Sequence, residues 1–396
     1  MKKCNYLLFC LVIFLFFSCE KQAKSDVYVE TSESQCAIRG NNNNSIFRIT
    51  ENRAFEYANI VFNRNKVRSI SEITVDYVVE QSNARSLSAD TLAYIFNRGD
   101  NEGFVIISSD NRVNPLLAFS DSGHFDNDEN PVVHQEFISK LGDYIDANSE
   151  NDTVSFSADF FDGCYAMQSS ISGSWDQDSP WNSVVDIYYP NCLVGCVAVA
   201  TAIIMTHSKE SLFYHGKNFP LARIGAGIDQ NANNARVVGG SGNISHSVIP
   251  LPYDSAVSYA AELLYYIGMD VHMDYGISGS SADRDSGLIV LRDYNFPLRH
   301  NQLMTYNLID IIDYIRAGDI IYMRGSDVNG KGGHAWIADA AMYCVDYETD
   351  ETTDGYLYCH WGWGGTSDGF YNGNVFSTTN YSFGDMQYFA VDRYFY

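Results

Sequence analysis

The sequence predicts an α+β protein in which a small α+β unit precedes a larger one, built from a central helix packed on an antiparallel sheet. Three observations carry this. Short segments of alternating apolar residues crowd between Ile73 and Ser108, the spacing of half-buried strands. The stretch from Cys196 to Met205 is apolar on every side, as a helix buried all round must be. From Asp319 to Val391, β-rich runs alternate with Gly and Asp turns, as in an antiparallel sheet.

In chain order, Lys2 and Lys3 precede an apolar run from Tyr6 to Phe17 that closes on Ser18 and Cys19. The run is shorter than the roughly 20 residues a spanning helix needs and has the form of an export leader. A small residue directly before Cys resembles a bacterial lipoprotein cleavage site. Residues 1–18 are therefore expected to be removed and Cys19 to carry lipid, the only membrane attachment expected. Residues 19–45 are polar and end in the run from Asn41 to Asn44, the composition of a tether.

Residues 46–160 hold the first unit. Thr50 is placed to cap a helix on which Phe55, Ala58 and Phe62 share a face. Ile73, Val75, Tyr77 and Val79 alternate as a strand, and Leu92–Phe96 and Phe104–Ser108 flank a turn-rich connection that reads as a hairpin. Val133, Phe137, Leu141, Tyr144 and Ile145 mark an amphipathic helix. The unit contains no catalytic constellation, and the polar stretch from Ala147 to Asp159 is a candidate linker.

Residues 161–396 hold the second unit, where Trp, Gly and Tyr concentrate. Besides the Cys196 helix, Ser255–Ile267 and Leu308–Ile315 read as helices, the latter with Asn307 as its cap. Asp319–Met323, His334–Val345, Tyr356–Trp361 and Gln387–Val391 read as strands.

Aromatic residues make up 14% of the 396-residue chain and charged residues 19%, a globular composition. Acidic residues outnumber basic ones 49 to 25, the net charge is -24, and no Lys/Arg cluster stands out, which argues against a nucleic-acid partner.

A thiol attacks a carbonyl only as thiolate, so a catalytic Cys needs its pKa lowered from about 8.5. Cys196 follows Gly195 and opens the apolar helix, where unpaired backbone N–H groups favour negative charge. His334, in Gly332-Gly333-His334-Ala335-Trp336, opens a strand directly after glycines that let a substrate backbone come close. The segment from His360 to Gly365 ends a neighbouring strand, where Trp361 can shield an imidazole from water. Cys on a helix, His on a strand and an aromatic, Gly-rich third segment, in that order, is the layout of papain-like cysteine peptidases. Cys192 stands four residues before Cys196, but no nearby ligand spacing supports a metal site, and no cofactor is implied. Cys344 and Cys359 flank an acidic turn and are candidates for cross-strand neighbours joined by a disulfide.

On these motifs the chain resembles the streptopain family of bacterial cysteine peptidases. The resemblance rests on Trp175 to Asn182, Val194 to Met205, Asp274-Tyr275-Gly276 with Ser278-Gly279-Ser280, Gly332 to Trp336 with Asp339, and His360 to Gly365 with Asp368-Gly369-Phe370. The first unit resembles that family's propeptide through Gly103 to Asp110 and Asp121 to Asp126. The resemblance implies a papain-like catalytic domain that hydrolyses protein or peptide substrates, preceded by a propeptide that acts as its intramolecular inhibitor. Cys196 would be the nucleophile and His334 the general base, paired at rest as thiolate and imidazolium. Gln177, with the backbone N–H of Cys196, would donate to the oxyanion, and Ser280 and Gly333 would contact substrate, the second through its backbone.

One position departs from that pattern. The family usually carries Asn before Trp-Gly-Trp-Gly-Gly, suited to orienting the catalytic imidazole, and this chain has His360. A protonated His accepts no hydrogen bond and repels an imidazolium, so activity is expected to fall at acid pH, with Trp361 or Asp339 sharing the orienting role. His360, and Ile203 where the family usually has Gln, motivate a rival reading: a relative of little or no activity that holds peptides at the cell surface. A third reading makes the first unit an inhibitor of other peptidases. The location expected is the bacterial cell envelope, with release after maturation.

Overall fold

The computed structural model describes residues 47–64, 71–81, 90–125, 137–229, 248–283, 285–326, 333–345, 352–377 and 386–393. The expected leader, tether and lipid-bearing Cys19 lie outside them. Helix α1 (Glu51–Asn63) starts where the hydroxyl of Thr50 accepts from Arg53 N at 3.4 Å. It buries Ala54, Tyr57, Ala58, Val61 and Phe62, the three-and-four spacing of one helical stripe. Phe55 falls beside that stripe and stays 38% exposed.

Strands β1 (Ile73–Gln81), β2 (Asp90–Arg98), β3 (Phe104–Ser108) and β4 (Leu116–Ser120) follow as an antiparallel meander. Every residue of β3 is buried because both faces of the sheet are covered. Val105 and Ile107 pack under α1, while Phe104 and Ile106 meet Phe137, Leu141 and Tyr144 on the other side. The expected helix around Phe137 is a 3-10 turn, Ile138–Lys140, running into α2 (Leu141–Ala147), with Val133 outside the described residues.

In the second unit α3 (Cys196–Ser208) buries every residue except Cys196 and His207. Three helices surround it: α4 (Leu221–Asp229), α5 (Tyr253–Asp270) and α6 (Ser286–Asp293). Together they cover the sheet face formed by Ile320, Tyr322, Ala335 and Ile337. The alternate residues Ile321, Met323, Trp336 and Ala338 face the opposite layer, where α7 (Leu308–Arg316) packs through Ile311, Ile312 and Ile315. Asn307 caps α7 by accepting from Ile309 N and Asp310 N at 3.1 and 3.3 Å.

The two units share one sheet, where the sequence suggested separate bodies joined by a linker. Among the described residues, eleven strands join in the order β1-β2-β3-β4-β12-β11-β10-β9-β13-β8, with β5 (Cys164–Ala166) added beside β10. The later strands are β6 (Leu212–Tyr214) and β7 (Lys217–Phe219), which pair apart as a hairpin, then β8 (Met304–Thr305), β9 (Ile320–Ser326), β10 (Gly333–Val345), β11 (Thr352–His360), β12 (Gly369–Asn372) and β13 (Gln387–Val391). The junction is β4 with β12, where Phe119 stands opposite Phe370 and Ala118 opposite Tyr371.

The expected pairing of Cys344 with Cys359 is corrected. Cys344 is bonded to Cys164 across 180 residues. Register explains why: Cys164 lies opposite Cys344 in the β5–β10 pair, whereas Cys359 faces Ala338 and keeps a buried thiol.

Candidate active site

The helix that carries Cys196 begins at a turn only Gly tolerates easily. Gly195 has φ +88°, and a Cβ there would lie 2.7 Å from the Met273 thioether and 3.2 Å from Ser280 Cβ. Cys196 then takes the first helical position, half-buried and not disulfide-bonded.

The strand of chain ahead of it is tied down on both sides. Val194 N donates to Gln177 O at 3.0 Å, and Leu193 N donates to Gly276 O at 3.2 Å. Ser280 Oγ donates to Leu193 O at 2.7 Å and accepts from Gly276 N at 3.0 Å. The Ser280 hydroxyl thus holds the strap of chain that leads to Cys196. Gly333 is exposed at the head of β10, opposite Ser326.

Gln177 is 3% exposed, and its Nε2 has no hydrogen-bond partner among the described residues. A buried donor left unpaired costs about 1–3 kcal/mol. Such a group is suited to a ligand oxygen that arrives later.

His334 is 5% exposed, its ring near-parallel to that of Trp336 and close to Trp361. Its Nε2 bonds Trp361 O at 2.8 Å. A carbonyl only accepts, so Nε2 carries the proton and Nδ1 keeps the lone pair. Burial lowers the pKa to about 4, against the smaller opposing effect of the Trp361 carbonyl. His334 is therefore neutral at neutral pH with the first unit in place. Two indoles exclude the water that would solvate a charge on the ring.

His360 does not touch this bond. Its Nδ1 pairs with Asp368 Oδ2 at 3.0 Å, and its Nε2 with Asp339 Oδ1 at 3.0 Å and Ser169 Oγ at 2.8 Å. Burial works against the charge, but the bonds to Asp339 and Asp368 outweigh it and raise the pKa to about 10. For Asp339, the same burial is outweighed by His360 and by Arg393, so its carboxyl falls far below the usual range. The expected acid-pH repulsion between His360 and His334 is withdrawn, because two carboxylates neutralise the charge. The Trp361 backbone, and not Asp339, bonds the His334 ring.

Asp368 and Arg393 are the site residues that sequence reading left without a role. Asp368 Oδ1 accepts from Trp361 N at 3.0 Å, and Arg393 reaches Asp339 Oδ2 at 2.8 Å. Asp368 follows His360 by eight residues in a Gly-rich turn, a faint local signal; Arg393 offers none.

Both units match known protein families. Residues 175–371 match the peptidase C10 family and residues 47–145 the Spi protease inhibitor family. Streptopain of Streptococcus pyogenes is 26% identical over 348 residues, covering 77% of this chain and 78% of that protein. The thiol protease/hemagglutinin PrtT of Porphyromonas gingivalis is 23% identical, covering 76% of this chain but only 35% of that protein. A prointerpain A fragment from Prevotella intermedia superposes with TM-score 0.51 at 19% identity, over 81% of this chain and 99% of that one, a likeness of fold. With both domains present in order and the papain-like fold around them, the chain belongs to the peptidase C10 family and is a cysteine endopeptidase that carries an inhibitor-type propeptide.

Proposed function

We propose that the chain is the precursor of an exported, lipid-anchored cysteine endopeptidase, with Cys196 as nucleophile and His334 as general base. Residues 46–160 act as propeptide and 161–396 as catalytic domain. The observation that carries the assignment of roles is the unpartnered, buried amide of Gln177, tied through Val194 to the strap of Cys196. His334 Nδ1 takes the Cys196 proton as sulfur adds to the scissile carbonyl. The oxyanion accepts from Gln177 Nε2 and from the N–H of Cys196. The imidazolium then protonates the leaving amine, and a thioester remains. Water, deprotonated by Nδ1, attacks it and releases the carboxylic product and the thiol.

Latency follows from the same reading. The β4–β12 pairing and the stacking of Phe119 on Phe370, with centroids 5.1 Å apart, hold the propeptide against the catalytic sheet. A cut between Asn148 and Trp175 separates the catalytic domain from Cys19 and so from the anchor where it falls before Cys164; beyond Cys164 the Cys164–Cys344 disulfide still joins the two pieces until it is reduced. The surface-binding alternative loses its motive, since His360 is engaged away from His334 and Ile203 is a core residue of α3.

The test is to express residues 20–396, wild type and Cys196→Ala, under reducing conditions and follow mass and casein cleavage. Self-processing and activity in wild type alone are expected; equal loss of the N-terminal unit in both, or activity in neither, defeats the proposal. Incorporation of labelled fatty acid into the full chain, absent in Cys19→Ser, tests the anchor.

A further inference from the structure

We infer that His360 is a buried positioning cation: clamped between Asp339 and Asp368, it sets the Trp361 segment whose carbonyl holds the His334 ring. The inference rests on the reading of His334 as general base.

The connections run as one chain of contacts. The Asp368 carboxylate has two faces: Oδ2 takes Nδ1–H of His360, and Oδ1 takes the backbone N–H of Trp361. At the other end of the same residue, the Trp361 carbonyl accepts from His334. Gly362, with φ +76°, turns the chain away immediately afterwards, and a Cβ there would lie 3.2 Å from Val199 of α3. The residue that orients His334 is therefore held between a charged cluster and the helix of the nucleophile.

Hydrogen-bond chemistry requires His360 to donate at both ring nitrogens. Each faces a carboxylate, which accepts only. Ser169 Oγ lies 3.2 Å from Ile171 O, to which it donates, and so takes the Nε2–H of His360 as acceptor. The groups facing the imidazole are Asp339 from β10, Asp368 from the turn before β12, Ser169 from the segment after β5, and the Tyr358 ring on its own strand, with centroids 5.0 Å apart. Behind them, Ser170 N and Arg393 bond Asp339 Oδ2 at 2.9 and 2.8 Å. Two cations thus face two anions in a buried cluster. Removing one partner of such a group leaves an uncompensated buried charge.

This makes Asn, the residue suggested by the family resemblance, a poor substitute here. An amide carries no charge to balance the second carboxylate, so Asp368 loses its partner and Trp361 its fixed N–H acceptor. Replacing Asp368 together with the cation leaves the Asp339–Arg393 pair intact and restores the balance, and the double variant His360→Gln/Asp368→Asn tests this.

The experiment measures kcat and KM per titrated Cys196 thiol in matured wild type, His360→Asn, Asp368→Asn and the double variant, across the neutral pH range. The single variants should lose about tenfold or more in kcat, as a misplaced catalytic group does, with KM within about twofold. The double variant should recover most of the loss. A merely structural role lowers the fraction of titratable thiol and leaves kcat per thiol unchanged; that result overturns the inference, as does a double variant worse than either single one. A wild-type Cys196 that neither titrates nor cleaves fails the underlying reading instead, and is distinguishable for that reason. Should His360→Asn not mature, Asp368→Asn, which keeps shape and one acceptor oxygen, carries the same comparison.

Discussion

The Nε2–H of His334 donates to the carbonyl oxygen of Trp361 at 2.8 Å, and this bond fixes the tautomer of the neutral ring. Because burial lowers the His334 pKa to about 4, the folded chain resists a proton that the unfolded chain accepts near pH 6.5. The unfolded state binds more protons between those values, so stability is full above about pH 6.5 and falls as pH drops toward 4. The contribution is about 3 kcal/mol at most. Urea midpoints of the Cys196→Ala chain over that range should fall, and His334→Gln should flatten the slope.

His360 has the opposite sign. Its folded pKa is raised to about 10, so its stabilisation is complete below pH 6.5 or so and is lost as pH rises through about 10. An alkaline melting curve of Cys196→Ala should therefore decline where the same chain carrying His360→Asn starts lower and declines less.

Gln177→Ala removes the proposed oxyanion donor, whose Nε2 has no partner among the described residues. Turnover should fall by about a hundredfold or more with little change in KM. The melting temperature should hold or rise slightly, since an unpaired buried donor is lost. A fall in stability with unchanged turnover per active site would reverse the assignment.

Cys164→Ser should lower stability by about 2–5 kcal/mol, the range for closing a long loop. Dithiothreitol should bring wild type down to the variant's melting temperature and leave the variant unmoved. A serine at Cys359, which makes no disulfide, should show no such convergence.

Gly195→Ala meets two obstacles, the left-handed φ and the Met273 thioether. A loss of about 1–2 kcal/mol is expected from the backbone alone. Adding Met273→Ala should relieve the contact and recover only part of that loss, as read by denaturant midpoints.

The sequence by itself determined the elements and the order of the reacting residues. An unbroken apolar run makes a buried helix whatever surrounds it, and Asn307, Gly195 and the Gly332-Gly333 pair act within their own turns. Cys196 and His334 could be named for that reason, and Gln177 by the family resemblance. Tertiary structure alone decided what each polar group meets. Whether Cys344 joins Cys164 or Cys359 depends on strand register, and a strand shifted by one residue turns its side chains to the other face. Whether His360 orients the base or stands clamped between Asp339 and Asp368 depends on carboxylates that different elements bring within 3.0 Å. Even the continuity of the sheet across the two units rests on a four-residue strand, β12, whose outer edge pairs with β4. Backbone periodicity is a local property and is written in neighbouring residues; charge compensation and strand pairing are set by distance in space, which the chain reaches only by folding.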